Sequence, residues 1–427
     1  MNAAIIFLIL LVLMLTGMPI SISLGLTVLS FLFMFTQVPL ESVALKLFTG
    51  IEKFEIMAIP FFILAGNFLT HGGVAKRMIR FASSMVGHWH GGLGLSGVLA
   101  CALFAAISGS SPATVVAIGS ILLPAMVKAG FPNKFGAGVI TTSGALGILI
   151  PPSIVMVMYS VATNTSVGAL FMAGVVPGIA LAMVLGGVTY YRARKFNYPR
   201  LPRATFAERF KAFRESAWGL LLIIIVMGGI YSGMFTPTEA AAMSAVYAFI
   251  VAVFVYKDLG MKDVPRVLLN SANMSAMLLY IITNAVLFSF IMTNENIPQT
   301  LADWMLSHGL GMITFLLACN IILLLAGNFM EPSSIVLIFA PILFPVAIKL
   351  GIDPVHFGII MVVNMEVGMC HPPVGLNLYV ASGITKMGIT ELTIAVWPWL
   401  LSMLGFLVVV TYWPGLSLWF PKYLGMM

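Results

Sequence analysis

The sequence predicts an all-α polytopic membrane protein made of inverted repeats, with about ten spans and two re-entrant helical hairpins. Three observations carry that prediction. Of 427 residues, 60% are apolar and only 8% charged, against about 25% charged in an ordinary soluble domain. Continuous, non-alternating apolar runs recur from Ala3 to Tyr412, and a hydrocarbon layer of roughly 30 Å admits only helices or closed barrels. Helix-breaking residues recur in the two halves at one constant offset. The 40 glycines and 23 prolines are tolerated in membrane helices because neighbours re-satisfy the freed backbone groups, so broken helices are expected.

The opening run from Ala3 follows no basic segment and precedes no small-residue cleavage pattern, so it reads as mature membrane helix. Thr16-Gly17-Met18-Pro19 is either a tight turn between two short helices or a kink in one long one. Lys76 to His90, basic but carrying Met78, Phe81, Met85 and Trp89, reads as a helix along the cytoplasmic surface. Gly91 to Val127 is too short for two crossings, because the tip Ser108-Gly109-Ser110-Ser111-Pro112 leaves about 16 residues on each side where roughly 20 are needed. A re-entrant hairpin fits. Gly136 to Thr163 then goes out, and Leu170 to Tyr191 returns.

Arg192 to Arg214 holds eight basic residues and one acid, Glu208, so 8 − 1 = +7, the net charge of the whole chain. Charge concentrated in one loop argues against a nucleic-acid partner and marks a cytoplasmic loop, with Phe196, Phe206, Phe210 and Phe213 lying on anionic headgroups of the bilayer. Ala217 to Phe235 goes out, Glu239 to Tyr256 comes back with Thr236 and Glu239 as a helix start, and Asn270 to Thr293 goes out. Asn296 to Ser307 is the outer counterpart of the first surface helix. Gly311 to Ile348 repeats the hairpin, with the tip Asn328 to Ser334, from the opposite side. Of 21 basic residues, 17 then face the cytoplasm, leaving Lys46, Lys53, Lys349 and Lys422 outside. Cys101, Cys319 and Cys370 form no CxxC pair and read as packing residues.

A shift of 221 positions superposes Pro124 on Pro345, Lys128 on Lys349, Gly130 on Gly351, Gly147 on Gly368, and Pro151-Pro152 on Pro372-Pro373 without a gap. One Gly-x-x-x-Pro-Pro break is often a packing kink. Two at a constant offset, each beside a serine-bearing tip, are the layout of secondary transporters with sites near the membrane midplane. Each double proline removes two backbone donors, leaving carbonyls of Gly147 to Ile150 and of Gly368 to His371 without helical partners. Such carbonyls, with hydroxyls of Ser108, Ser110, Ser111, Ser333 and Ser334, suit Na⁺, while half-helix N-termini suit a carboxylate. Glu331 and Glu366 are the deepest acids and are functional by default in lipid, unless paired with backbone donors. His371 is a hydrogen-bonded packing residue or a proton relay.

At these residues the chain resembles the large membrane subunit of the tripartite ATP-independent periplasmic (TRAP) transporters. The resemblance covers essentially the whole chain and is most specific at Ser108 to Pro124, Thr141 to Ser153, Met330 to Pro345 and Asp353 to Ile384, the last of which looks most like the C4-dicarboxylate branch. It implies an elevator-type, sodium-coupled, multi-pass importer of a small carboxylate in the bacterial inner membrane, not an enzyme. No cofactor beyond the coupling sodium ions is implied. The implied partners are a small four-helix membrane subunit and a periplasmic substrate-binding protein. It also implies sodium ligands at Ser108, Ser111, Gly147, Ile150 and Pro152, and by the repeat at Ser333, Gly368, His371 and Pro373. Because no Lys or Arg lies in the predicted core, Ser110, Thr114, Ser143, Asn364 and Asn377 are the residues expected to hold the substrate.

The expected division is 1–90 as scaffold and first arm and 91–163 as the first half of a transport domain. Residues 164–310 form scaffold, basic loop and second arm, 311–384 the second transport half, and 385–427 a C-terminal scaffold helix. A self-sufficient sodium- or proton-coupled carboxylate permease is the rival reading. An intramembrane hydrolase is excluded by the lack of HExxH or GxSxG and of a His near the hairpin serines.

Overall fold

The structure, a computed structural model, describes residues 2–36, 38–373 and 375–426, and every regular element among them is helical. The chain opens with α1 (Asn2–Leu15), α2 (Ile20–Phe35), α3 (Leu40–Thr49), α4 (Ala58–His71) and α5 (Val74–Val86). Thr16 to Pro19 is a turn between two helices, with Gly17 at φ +83°, rather than a kink in one. The first hairpin is α6 (Gly92–Ser108) and α7 (Ser111–Lys128), and Gly109 reverses the chain in the left-handed region at φ +59°. The first broken helix is α8 (Asn133–Ser143), a 3₁₀ turn (Gly144–Ile148) and α9 (Ile154–Thr163). Then come α10 (Val167–Lys195), α11 (Phe206–Tyr231), α12 (Pro237–Ile250), α13 (Val264–Asn294) and α14 (Ile297–Ser307). The second hairpin is α15 (Met312–Gly327) and α16 (Pro332–Lys349), the second broken helix α17 (Pro354–Cys370) and α18 (Leu376–Thr385), and the chain closes with α19 (Ile389–Tyr412) and α20 (Gly415–Tyr423).

The repeat is visible in the element boundaries themselves. α7 and α16 are both 18 residues long, with 111 + 221 = 332 and 128 + 221 = 349. α8 and α17 start at Asn133 and Pro354, again 221 apart, and the cis bonds Pro151-Pro152 and Pro372-Pro373 keep the same offset. The shared spacing of breakers fixes where these helices start and where the chain breaks, since two consecutive prolines supply no N–H to carry a helix on; the lengths before the break differ, 11 residues in α8 against 17 in α17.

Eight helices are long and apolar enough to cross a membrane, among the described residues, including α4 with its preceding turn, α10, α11, α12 with its continuation, α13 and α19. α7 and α16 also meet that criterion, whereas the first hairpin arms α6 and α15, of 17 and 16 residues, are shorter. The helix-start reading at Thr236 holds: Glu239 Oε2 accepts from the Thr236 backbone at 2.8 Å, and Glu239 N donates to Thr236 Oγ1 at 3.3 Å. Thr205 and Glu208 form a second such box at the start of α11. Three of the four basic residues left outside by the threading have partners: Lys53 on the end of α9, Lys349 on Asp303, and Lys46 over the Phe290 ring.

One group of helices packs α4 against α12 and α13, α2 against α13, and α11 against α5 and α12. The hairpins and broken helices form a second group, in which α7 touches α8 and α18, and α16 touches α9 and α17. α10 and α19 lie against this group from outside. All three cysteines are buried and free, as packing residues would be.

Candidate functional site

At the first break the backbone of the hairpin tip and of the unwound helix come into direct contact. A Cβ added at Gly147 would lie 2.6 Å from Ser110 O and 2.8 Å from Ser111 Cα, so only glycine lets the tip sit there. A Cβ at Gly109 would lie 2.9 Å from Pro152 O and 3.6 Å from Ile154 N. The N-terminal ends of α7 and α9 therefore converge, with Ser153 capping α9 through Met156 N at 3.4 Å. Two helix N-termini facing one region make it favourable for negative charge. Ser108 Oγ lies 2.9 Å from Thr114 Oγ1, and both donate to Ser110 O, at 3.3 and 2.8 Å. Ile150, the last residue before the prolines, packs against α10 at Gly178.

The site is completed by the other half of the chain. Asn377, at the start of α18, donates to Ser111 Oγ at 2.7 Å and to Thr141 O at 3.3 Å, and Ser111 Oγ donates back to Asn377 Oδ1 at 3.0 Å. Cys370 Sγ also points at Thr141 O, at 3.5 Å. Hairpin tip, first broken helix and the restart of the second broken helix are thus joined by fully buried polar contacts.

The second break is built differently. Gly327 and Gly368 meet backbone to backbone, a Cβ on either lying under 3.0 Å from the other's Cα. Gly368 O accepts from His371 N at 3.1 Å, so this carbonyl, expected to be free, is engaged. The tip residue that reaches the break is Asn328, whose amide lies 2.9 Å from His371 Nδ1 and, with its nitrogen turned inward, donates to His371 O and Pro372 O at 3.3 and 3.2 Å. Ser333 and Ser334 instead donate to Glu331, at 2.6 and 3.4 Å, across the start of α16. Pro373 is exposed, and Val374 beside it lies outside the described residues.

The residues expected to hold the substrate therefore divide. Ser110 and Thr114 belong to the first tip and Asn377 to the joint between the halves. Asn364 faces elsewhere: its Nδ2 donates to Asn320 Oδ1 at 2.8 Å, and Asn320 donates to Thr411 Oγ1 at 3.0 Å, forming a buried chain through α15, α17 and α19. Ser143 and Asn364 occupy equivalent repeat positions, since 143 + 221 = 364, and each buries an oxygen without a partner. Both carboxyl oxygens of Glu366 are likewise buried without partners, so it is not held by backbone donors. Sequence reasoning missed Asn320, Asn328 and the Thr141 carbonyl. The lone Asn320 in an apolar helix and Asn328 in the tip are readable as costly polar groups in lipid; a backbone carbonyl leaves no mark in the sequence.

Long apolar helices around paired, broken, polar-lined elements define a polytopic membrane transport protein. The chain belongs to the family described as "Tripartite ATP-independent periplasmic transporter, DctM component", which it matches over residues 7–416. It is 75% identical, over 100% of both chains, to the "C4-dicarboxylate TRAP transporter large permease protein DctM" of Rhodobacter capsulatus, and 54% identical, over 95% of each, to the protein so named in Pseudomonas aeruginosa. The "Sialic acid TRAP transporter large permease protein SiaM" of Vibrio cholerae is 36% identical over 96% of each. In fold alone it resembles the solved YdaH transporter of Alcanivorax borkumensis, with a TM-score of 0.59 at 15% identity, over 84% of this chain and 86% of that one.

Proposed function

We propose that this chain is the large permease of a sodium-coupled C4-dicarboxylate importer, a secondary active transporter of the bacterial inner membrane. In this reading it receives substrate from a periplasmic binding protein, works with a small four-helix membrane subunit, moves by an elevator, and catalyses no covalent chemistry. The observation that carries the reading is the joint at Ser111, Thr141 and Asn377, where both halves meet beside converging helix ends. Two inverted halves meeting at a broken-helix site suit a body that exchanges its exposure between faces. The 75% identical relative named for C4-dicarboxylates supports the substrate class.

The tips and breaks contain no Lys or Arg, so the substrate carboxylates are assigned to the N-termini of α7 and α9, with Ser110, Thr114 and Asn377. The first sodium ion is assigned to carbonyls of Gly147, Ile150 and Pro152 with Ser108 and Ser111. Neutral oxygens of this kind suit a hard, weakly bound monovalent cation. The second ion is assigned, by the repeat, to the break at Gly368, His371 and Pro373 with Ser333, where the Asn328 amide now donates to the His371 and Pro372 carbonyls and would have to turn away for an ion to enter.

The test is uptake of labelled succinate into vesicles holding this chain, with and without the small subunit and binding protein. Uptake should require a sodium gradient and all three components. Gly147→Val should raise the sodium needed by about tenfold or more, because its side chain meets backbone that cannot yield. Uptake driven by protons alone would overturn the ion assignment, and full uptake by this chain alone would favour the self-sufficient permease.

A further inference from the structure

An apolar groove of about 970 Å³ runs between α6, α10, α11 and the end of α20, and touches the first break only on the outer side of Ile150 and Pro151. It follows α10 from Met172 to Tyr190, a rise of about 27 Å, close to the thickness of the hydrocarbon layer. Gly187 and Gly228 line it, and a Cβ on either would meet nothing within 4 Å, so the groove stays open where glycine withholds a side chain.

The groove ends at Trp89 and Tyr190, whose rings lie 6.4 Å apart, and the same two residues line a second chamber of about 610 Å³. That chamber has the opposite character: it is lined by His88, His90, Arg200 and Arg203, and no acidic residue lines it. It is a built feature rather than a loose loop, because Leu201 N donates to Gly87 O at 3.0 Å and ties the basic segment over the end of α5. Neither Arg200 nor Arg203 forms an ion pair among the described residues. Partial withdrawal from water, then Arg203 and Arg209, hold the His88 imidazole below its usual range; withdrawal from water, then Arg200 and Arg194, do the same to His90.

A long apolar groove that opens, past two aromatic rings of the kind that mark the membrane surface, into an acid-free basic chamber matches one amphiphile. We propose that it is a binding site for a single anionic phospholipid, its phosphate at Arg200 and Arg203 and an acyl chain along α10 between α6 and α11. Free phosphate leaves the groove empty, and a zwitterionic lipid brings no net charge to the chamber. The site does not depend on the identity of the transported substrate.

The full chain, purified in mild detergent and stripped of lipid, would be titrated with phosphatidylglycerol, phosphatidylethanolamine of the same chains, or glycerol phosphate, and bound species counted by native mass spectrometry. Phosphatidylglycerol should bind one to one and the other two at least tenfold more weakly. Arg200→Gln with Arg203→Gln should weaken it by about 30-fold. Gly187→Leu, which fills the groove without touching the basic chamber, should weaken it by about tenfold. Thermal unfolding of each variant checks folding, and Gly187→Leu carries the test by itself if the arginine variant does not fold. Equal binding of the two lipids, or unchanged phosphatidylglycerol binding in Gly187→Leu, would overturn the site.

Discussion

Ser111 and Asn377 stand 266 positions apart and exchange hydrogen bonds at the junction of the two halves. In the sequence alone they fall to different tasks, Ser111 to a cation and Asn377 to the substrate, because a contact across repeats leaves no trace in local spacing. Hydrogen bonds between membrane helices contribute about 0.6 kcal/mol on average and at most about 1.7. That magnitude separates two roles. If the pair only braces the fold, Ser111→Ala and Asn377→Ala should each reduce uptake by no more than about 20-fold, in step with thermal stability. If it forms part of the site, as we expect, either change should reduce uptake by about 100-fold or more while the unfolding temperature moves little. In a double-mutant cycle the combined loss should fall well short of the sum, since either change alone dismantles the pair. Losses that simply add would show that the residues act independently.

At the level of elements most of the architecture was legible, and the reason is chemical. Proline, glycine and capping residues dictate where a helix can begin or end whatever surrounds it, so both hairpins, both breaks and the Thr236 start were readable to within a few residues. Less legible was how each break is shaped. The first unwinds through a 3₁₀ turn while α17 stays α-helical to Cys370, a difference that neither the shared Pro-Pro nor the shared glycine encodes, since both glycines meet tip backbone. Orientation rests on basic residues, which are held on the cytoplasmic side. Phe206 begins α11 beside the basic loop and is 84% exposed, and Gln299 lies exposed on α14. Single cysteines at these positions, in a chain lacking Cys101, Cys319 and Cys370, should respond oppositely to an impermeant thiol reagent in intact cells, with position 299 labelled and 206 protected. Equal labelling would refute the threading.

For the whole molecule, the decisive question is whether the tips and breaks travel together. The buried polar contacts join α7, α8, α17 and α18 into one piece, and Tyr159 of α9 adds a hydrogen bond at 2.7 Å to Pro354 O at the start of α17. Moving one tip alone would break these contacts and leave polar groups unpaired in a medium with no water to replace them. Moving the whole piece against α11 and α12 would not. Those two helices are themselves linked by Tyr247, whose hydroxyl donates to Trp218 O at 2.7 Å, so a probe there reports a fixed frame. Lys53 makes a polar contact from outside to the piece, donating to Val161 O at 2.6 Å and Asn164 Oδ1 at 2.7 Å at the end of α9. Spin labels at Ser110 and Ser334 should therefore keep a nearly constant mutual distance between sodium-free and sodium-plus-substrate conditions, while both shift together relative to Tyr247. A tip-to-tip distance that changes, with no joint shift against Tyr247, would exclude the elevator and leave local gating of one hairpin over a fixed site.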